Sequence, residues 1–154
     1  MADIRLYNLC LIENPETRQV VALDKVSSPF AGITLPGDKV EKGESIAASV
    51  IREVREETGL TVARLCPAGL VDWVNPTTGA RWLLFLYRTR TYSGELIGQT
   101  QEGRVFWTDS ATFADGPLSP NMDVFWQMYQ DGTYREALGT WSDDGLSGSF
   151  HFYP

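Results

Sequence analysis

Pro36 to Leu60 reads PGDKVEKGESIAASVIREVREETGL: a Gly-containing loop, a helix start and then a dense run of carboxylates. Ser45 to Thr58 carries the strongest helical signal in the chain, with Ser45 or Glu44 as its start and Gly59 as its stop. At about 100° per residue, Ile46, Ala47, Val50, Ile51 and Val54 share one broad arc. Glu53, Glu56 and Glu57 fill the adjoining arc, on the border of the buried face. Like charges at i, i+3 and i+4 repel, and the C-terminal half of a helix disfavours anions. A divalent cation is the simplest ligand that rewards such an arrangement. Hard oxygen donors with no His or Cys nearby suit Mg²⁺ or Mn²⁺ over zinc. For the glutamates taken alone, a solvated acidic helix balanced by Arg52 and Arg55 is the alternative.

Outward from this stretch, Tyr7 to Glu13 and Val20 to Asp24 read as two strands of a hairpin joined by the polar turn NPETRQ. Ser27 to Gly32 without further signal is loop, and Ile33 to Leu35 is a short extended piece stopped by Pro36-Gly37. Leu70 to Val74 and Arg81 to Thr91 read as strands around the turn NPTTG at Asn75 to Gly79. Glu95 to Glu102 is loop, Arg104 to Thr108 strand, and Met122 to Tyr129 a second helix after Ser119-Pro120-Asn121. SGSFHFY adds a late strand. Strands and two helices in this order predict one α+β domain over residues 1–154 with a mixed sheet.

Composition narrows the function classes. With 43% hydrophobic and 21% charged residues the chain is an ordinary globular one, and no apolar run is long enough to span a bilayer. The N-terminus shows no secretory pattern, so a cytoplasmic setting is expected. Cys10 and Cys66 are expected to pack as small hydrophobes rather than form a disulfide. A net charge of −7 argues against an extended nucleic-acid surface. It permits a polyphosphate ligand where cations stand between phosphate and carboxylates.

The stretch closely resembles the box of the Nudix hydrolase family, G-x5-E-x7-R-E-U-x-E-E-x-G-U with U aliphatic. Glu44, Arg52-Glu53, Val54, Glu56-Glu57, Gly59 and Leu60 match it, and Asp38 stands where the motif has Gly. The box therefore runs over about residues 38–60, and Asp38 is read as tolerated through left-handed backbone angles. The resemblance implies an α/β/α sandwich and a Mg²⁺-dependent pyrophosphohydrolase acting on a nucleoside diphosphate linked to another moiety.

What the resemblance implies for single residues follows from these matches. Glu53, Glu56 and Glu57 are the metal ligands, with Glu56 either a third ligand or the base. Arg52 pairs with Glu44 and orients the cluster. Glu102, before a strand, resembles the family's second carboxylate position and is a further candidate for metal or base work; an exposed loop glutamate is its alternative. Gly37 allows close approach of a phosphate, and Lys39 and Lys42 are placed to touch one. Asn121 resembles the base-recognising segment of MutT-like members, an N-cap being the other reading of it. A MutT-like enzyme cleaving (8-oxo-)dNTP to dNMP and pyrophosphate is the favoured reading. An RNA 5′-pyrophosphohydrolase and a non-catalytic nucleotide sensor are the alternatives. Aromatic strands leave a homodimer open. His151, the single histidine, gives little basis for a zinc site or a histidine-based triad.

Overall fold

The computed structural model describes residues 2–27, 29–142 and 145–154. Its strands are β1 (Ile4–Ile12), β2 (Gln19–Lys25), β3 (Gly32–Thr34), β4 (Thr61–Ala63), β5 (Cys66–Val74) and β6 (Arg81–Thr89). They continue with β7 (Thr91–Ser93), β8 (Gln99–Thr100), β9 (Gly103–Asp109), β10 (Glu136–Ser142) and β11 (Gly145–Tyr153). Helix α1 spans Ile46–Thr58 and helix α2 spans Met122–Gln130. A five-stranded sheet runs β1-β6-β5-β10-β11, a four-stranded sheet β3-β2-β9-β8, and β4 pairs with β7. The larger sheet is mixed: β1 is parallel to β6 and β5 to β10, whereas β5/β6 and β10/β11 are antiparallel. The α+β expectation with a mixed sheet holds.

The expected hairpin between β1 and β2 does not form beyond a single bridge, Glu13 to Val20. Asn14 builds the turn, its side chain accepting from Glu16 N at 2.9 Å, and Arg18 takes a left-handed φ of 64°. Past that bridge the strands part into different sheets, because each finds a longer partner: β1 runs along β6 and β2 along β9. The predicted strand from Arg81 to Thr91 also divides. Thr89 Oγ1 accepts the Thr91 N–H at 3.0 Å, turning the chain so that β7 leaves for β4. Strand β10 had no sequence signal, since EALGTWS lacks clean alternation; it forms between two partners, β5 and β11.

Two hydrophobic clusters cover the strands. One gathers Leu9, Leu11, Val20, Ala22, Val71 and Leu86 under Trp126, Met128 and Tyr129 of α2. The other gathers Cys10, Ile12, Val21, Leu23 and Val105 against Val50 and Val54 of α1. Cys10 is buried as expected; Cys66 is exposed at the start of β5, and both are free thiols. Among the described residues no helix is long and apolar enough to cross a membrane.

Candidate functional site

Local chemistry fixes both ends of α1. Ser45 Oγ accepts the Ala48 N–H at 3.0 Å, and Gly59 closes the helix in the left-handed region at φ 85°. The buried face is narrower than the wheel suggests: Val50 and Val54 are fully buried, whereas Ile51 is 39% exposed. Ser49, Glu53, Glu57 and Thr58 complete that face. Two of the three glutamates therefore lie inside the buried face instead of along its border. Glu56 differs, its side chain being 59% exposed.

Arg52 joins four of the motif's groups. Its guanidinium grips Glu44 twice, Nη2 to Oε1 at 2.7 Å and Nε to Oε2 at 3.1 Å. Nη1 donates to Glu53 Oε1 at 2.8 Å and to Glu56 Oε2 at 3.3 Å, and Nη2 to the Lys39 carbonyl at 3.0 Å. Glu44 Oε1 also accepts the Glu41 N–H at 2.7 Å. The Arg52 bonds, then that backbone N–H, hold the Glu44 carboxyl below its ordinary value. The expected Arg52–Glu44 pair is present and is bidentate.

Glu53 and Glu57 form a buried acidic pair. Glu57 Oε1 accepts the Gly37 N–H at 3.1 Å, while no hydrogen-bond donor reaches the buried Oε2. Burial pushes the Glu57 carboxyl up to about 9, with the Glu53 charge adding to the rise and Lys25 opposing it. Glu53 is raised as well, first by burial and further by the charge of Asp38; its bonds to Arg52 and Glu57 work in the opposite direction. Among the described residues, no three His, Cys, Asp or Glu side chains converge as a ready-made metal cage. Arg52 Nη1 holds one oxygen of Glu53 and one of Glu56.

Two glycines of the loop before α1, Gly37 and Gly43, take positive φ, and Gly37 is the one packed against other backbone. Its φ is 147°, and a Cβ there would run into the Asn8 carbonyl oxygen and lie 2.7 Å from Leu9 Cα. Asp38, at the motif's Gly position, does not take a left-handed backbone, so the reason given for its tolerance is corrected. The left-handed demand falls one residue earlier. Asp38 is half-buried, and its carbonyl accepts the Asn8 N–H at 2.8 Å.

A cavity of about 410 Å³ opens beside this loop. Gly37, Asp38, Lys39 and Lys25 line one end, and Tyr7, Phe30, Trp73, Trp82, Phe125 and Asn121 line the rest. Trp73 and Trp82 stack with ring centroids 6.4 Å apart, and Tyr7 lies 6.1 Å from Trp82. Asn121 precedes α2 in a left-handed conformation at φ 66° and makes no capping hydrogen bond. The N-cap reading of its side chain is thus set aside, and the amide remains on the cavity wall. Lys39 is at the cavity; Lys42 is exposed and does not line it.

Glu102 comes in on a separate turn, next to the end of β2 that carries Lys25. It is exposed in the turn between β8 and β9, where its N–H donates to Thr100 Oγ1 at 3.1 Å and its carbonyl accepts the Val26 N–H. Sequence reasoning missed Lys25, Tyr7 and Asn8, which line the cavity from β1 and β2. Only knowledge of which strands flank the loop would have found them.

Comparison with known proteins gives the same picture. The NUDIX domain model matches residues 5–127. The chain is 32% identical over 88 residues to Nudix hydrolase YvcI of Bacillus subtilis, which is 55% of this chain and 56% of YvcI. It is 40% identical over 63 residues to the NAD-capped RNA hydrolase NudC of Pseudomonas aeruginosa, 41% of this chain and 21% of NudC. The match thus spans little more than half of YvcI and a much smaller share of NudC. A MutT protein from Bacillus halodurans superposes with a TM-score of 0.80 at 25% identity, over 97% of this chain and 98% of its own. The NUDIX domain of Shewanella oneidensis NrtR, solved with ADP ribose, has a TM-score of 0.65 at 16% identity, over 84% of this chain and 87% of its own; that likeness is one of fold alone. The family model runs through both sheets and the loop–helix segment that carries the acidic pair, and the chain belongs to the NUDIX domain family.

Proposed function

We propose that residues 1–154 form one domain that hydrolyses the phosphoric anhydride of a nucleoside di- or triphosphate derivative with a divalent cation. One observation carries this reading: two buried carboxylates are paired behind Gly37, which lines an aromatic cavity, and no donor reaches Glu57 Oε2. An orphaned buried carboxylate oxygen is costly unless a ligand completes it. The donor set is all oxygen, which fits Mg²⁺ or Mn²⁺. Glu57 Oε2 and the Glu53 oxygen not taken by Arg52 would hold the ion, with Glu56 as the third candidate. When bound, it supplies neutralisation of phosphate charge and a more acidic water.

The chain's own residues account for the remaining needs. Arg52 fixes the orientation of Glu44, Glu53 and Glu56, and Gly37 N–H fixes one oxygen of Glu57. Glu56 Oε1, which Arg52 does not hold, lies on the exposed side and is the group proposed to take a proton from the attacking water. Lys25 and Lys39, at the loop end of the cavity, favour the anionic phosphates there. Tyr7, Trp73 and Trp82 offer ring faces to a base, and the Asn121 amide offers both a donor and an acceptor. The reading favoured here is a MutT-like cleavage of (8-oxo-)dNTP to dNMP and pyrophosphate, because aromatic rings and the Asn121 amide line one cavity beside the loop. Hydrolysis at an RNA 5′ end is the second reading, supported by the NudC match.

A substrate panel tests the proposal: dNTPs, 8-oxo-dGTP, ADP-ribose, NAD and 5′-triphosphate RNA, each with Mg²⁺, Mn²⁺ or EDTA. Release of pyrophosphate from the triphosphates, or of two monophosphates from ADP-ribose or NAD, that EDTA abolishes is expected. No turnover of any member, or turnover indifferent to EDTA, refutes it.

A further inference from the structure

We infer that Asn8 is a positioning residue that ties the loop carrying Gly37 and the helix carrying Glu53 and Glu57 to one point on β1. The inference rests on the function proposed above and adds a residue to its machinery. Three independent observations meet at Asn8. Its backbone N–H donates to the Asp38 carbonyl at 2.8 Å, within a ladder that also holds Pro36 through Cys10 N and Val40 through Leu6 O. Its carbonyl oxygen is the surface against which Gly37 lies, in contact that no Cβ would permit. Its side chain turns to the other element: Nδ2 donates to Ser49 Oγ at 2.8 Å, and Ser49 Oγ in turn donates to the Ile46 carbonyl.

Stability gives no reason for this amide. Asn8 is 1% exposed and Ser49 fully buried, yet Asn8 Oδ1 has no hydrogen-bond partner. A buried amide with one orphaned oxygen costs more than an apolar side chain of the same size. Its neighbours on the strand's two faces, Leu9 and Cys10, show what a stability-driven choice looks like here. What the amide does achieve is register. The Gly37 N–H reaches Glu57 Oε1 across the gap between loop and helix, and that gap is set by two ties. Arg52 to the Lys39 carbonyl is the solvent-side tie, and Asn8 to Ser49 is the buried one. A site of this kind tolerates little displacement of its carboxylates.

Two variants test the inference, Asn8→Leu and Ser49→Ala. Each is measured for Tm in EDTA, kcat and KM with Mg²⁺, Mn²⁺ affinity by calorimetry, and hydrogen exchange of the Gly37 and Val40 amides. The expected result in EDTA is an unchanged or raised Tm for Asn8→Leu and a lowered Tm for Ser49→Ala, which orphans Asn8 Nδ2, each together with a kcat lowered on the order of tenfold or more. KM should stay within about threefold, Mn²⁺ affinity should weaken, and exchange at Gly37 should quicken. Ser49→Ala decides the matter if Asn8→Leu does not fold. Wild-type kcat, Mn²⁺ affinity and exchange rates in the folded variants overturn the inference. So does a fall in Tm with kcat per folded molecule unchanged, which marks a merely structural bond. Absence of turnover in the wild type sinks the functional reading instead, and the exchange measurement still reports on the tie.

Discussion

Replacing Glu57 by Gln should produce a protein that is more stable without metal and inactive with it. The metal-free structure buries the Glu57 carboxyl beside Glu53 and pushes it from 4.5 to about 9. Near pH 7.5 the folded state thus keeps a proton that the unfolded chain releases. At about 1.4 kcal/mol per unit between the reference value and the working pH, holding that proton costs the fold about 2–4 kcal/mol. Gln keeps the oxygen that accepts the Gly37 N–H and presents an NH₂ to Glu53, so the penalty disappears without a cavity. For a domain of this size the gain should raise Tm in EDTA by at least about 4 °C. The same change removes the orphaned Oε2 as an ionic donor, so Mg²⁺ should no longer raise Tm, and turnover should fall by orders of magnitude. Differential scanning fluorimetry in EDTA and in Mg²⁺, beside a pyrophosphate-release assay, reads all three quantities. A Tm in EDTA that falls or stays level refutes the electrostatic reasoning, and turnover within tenfold of wild type removes Glu57 from the mechanism.

Other perturbations follow from the same geometry. The raised Glu57 carboxyl is favoured protonated in the folded state, so in EDTA its stabilising share is complete below about pH 4.5 and is lost as pH climbs toward 9. Chemical denaturation between those limits should show declining stability in EDTA and a growing gain from Mg²⁺. Gly37→Ala forces a Cβ against the backbone of Asn8 and Leu9 and should cost about 3 kcal/mol or more, read as a drop in Tm with loss of turnover. Arg52→Lys keeps the charge and loses the fork that holds Glu44, Glu53 and the Lys39 carbonyl together; kcat should fall about 10–100-fold with little change in KM. Trp82→Ala should raise KM for nucleotides by about tenfold, from the loss of about 1–2 kcal/mol of stacking, with kcat nearly unchanged.

What the sequence showed and what it hid divide along one line. Ser45 and Gly59 were legible because each acts within its own helix end, and the Arg52–Glu44 pair because the motif match implied it. The wheel placed three glutamates on one border, and it had no means of knowing how α1 is rotated against β1 and β2. That rotation buries Glu53 and Glu57 and leaves Glu56 in water. Lys25, Tyr7 and Asn8 were invisible for a related reason: they belong to strands whose partners lie far along the chain. The expected β1–β2 hairpin failed on the same ground, since local turn chemistry at Asn14 was read as pairing while remote strands claimed both edges. Glu102 kept its place before a strand, in a turn closed by its own N–H on Thr100.

The parallel pairing of β1 with β6 has a bearing on how the protein comes to exist on the ribosome. The loop at residues 36–40 leans on β1, and β1 aligns with Arg81–Thr89, which is made much later. Contacts of such long range are slow to form and come late in synthesis. The nascent chain therefore carries its acidic helix for some time without the scaffold that positions it. A product truncated before β6 would contain every residue of the box and still lack the bed on which it rests.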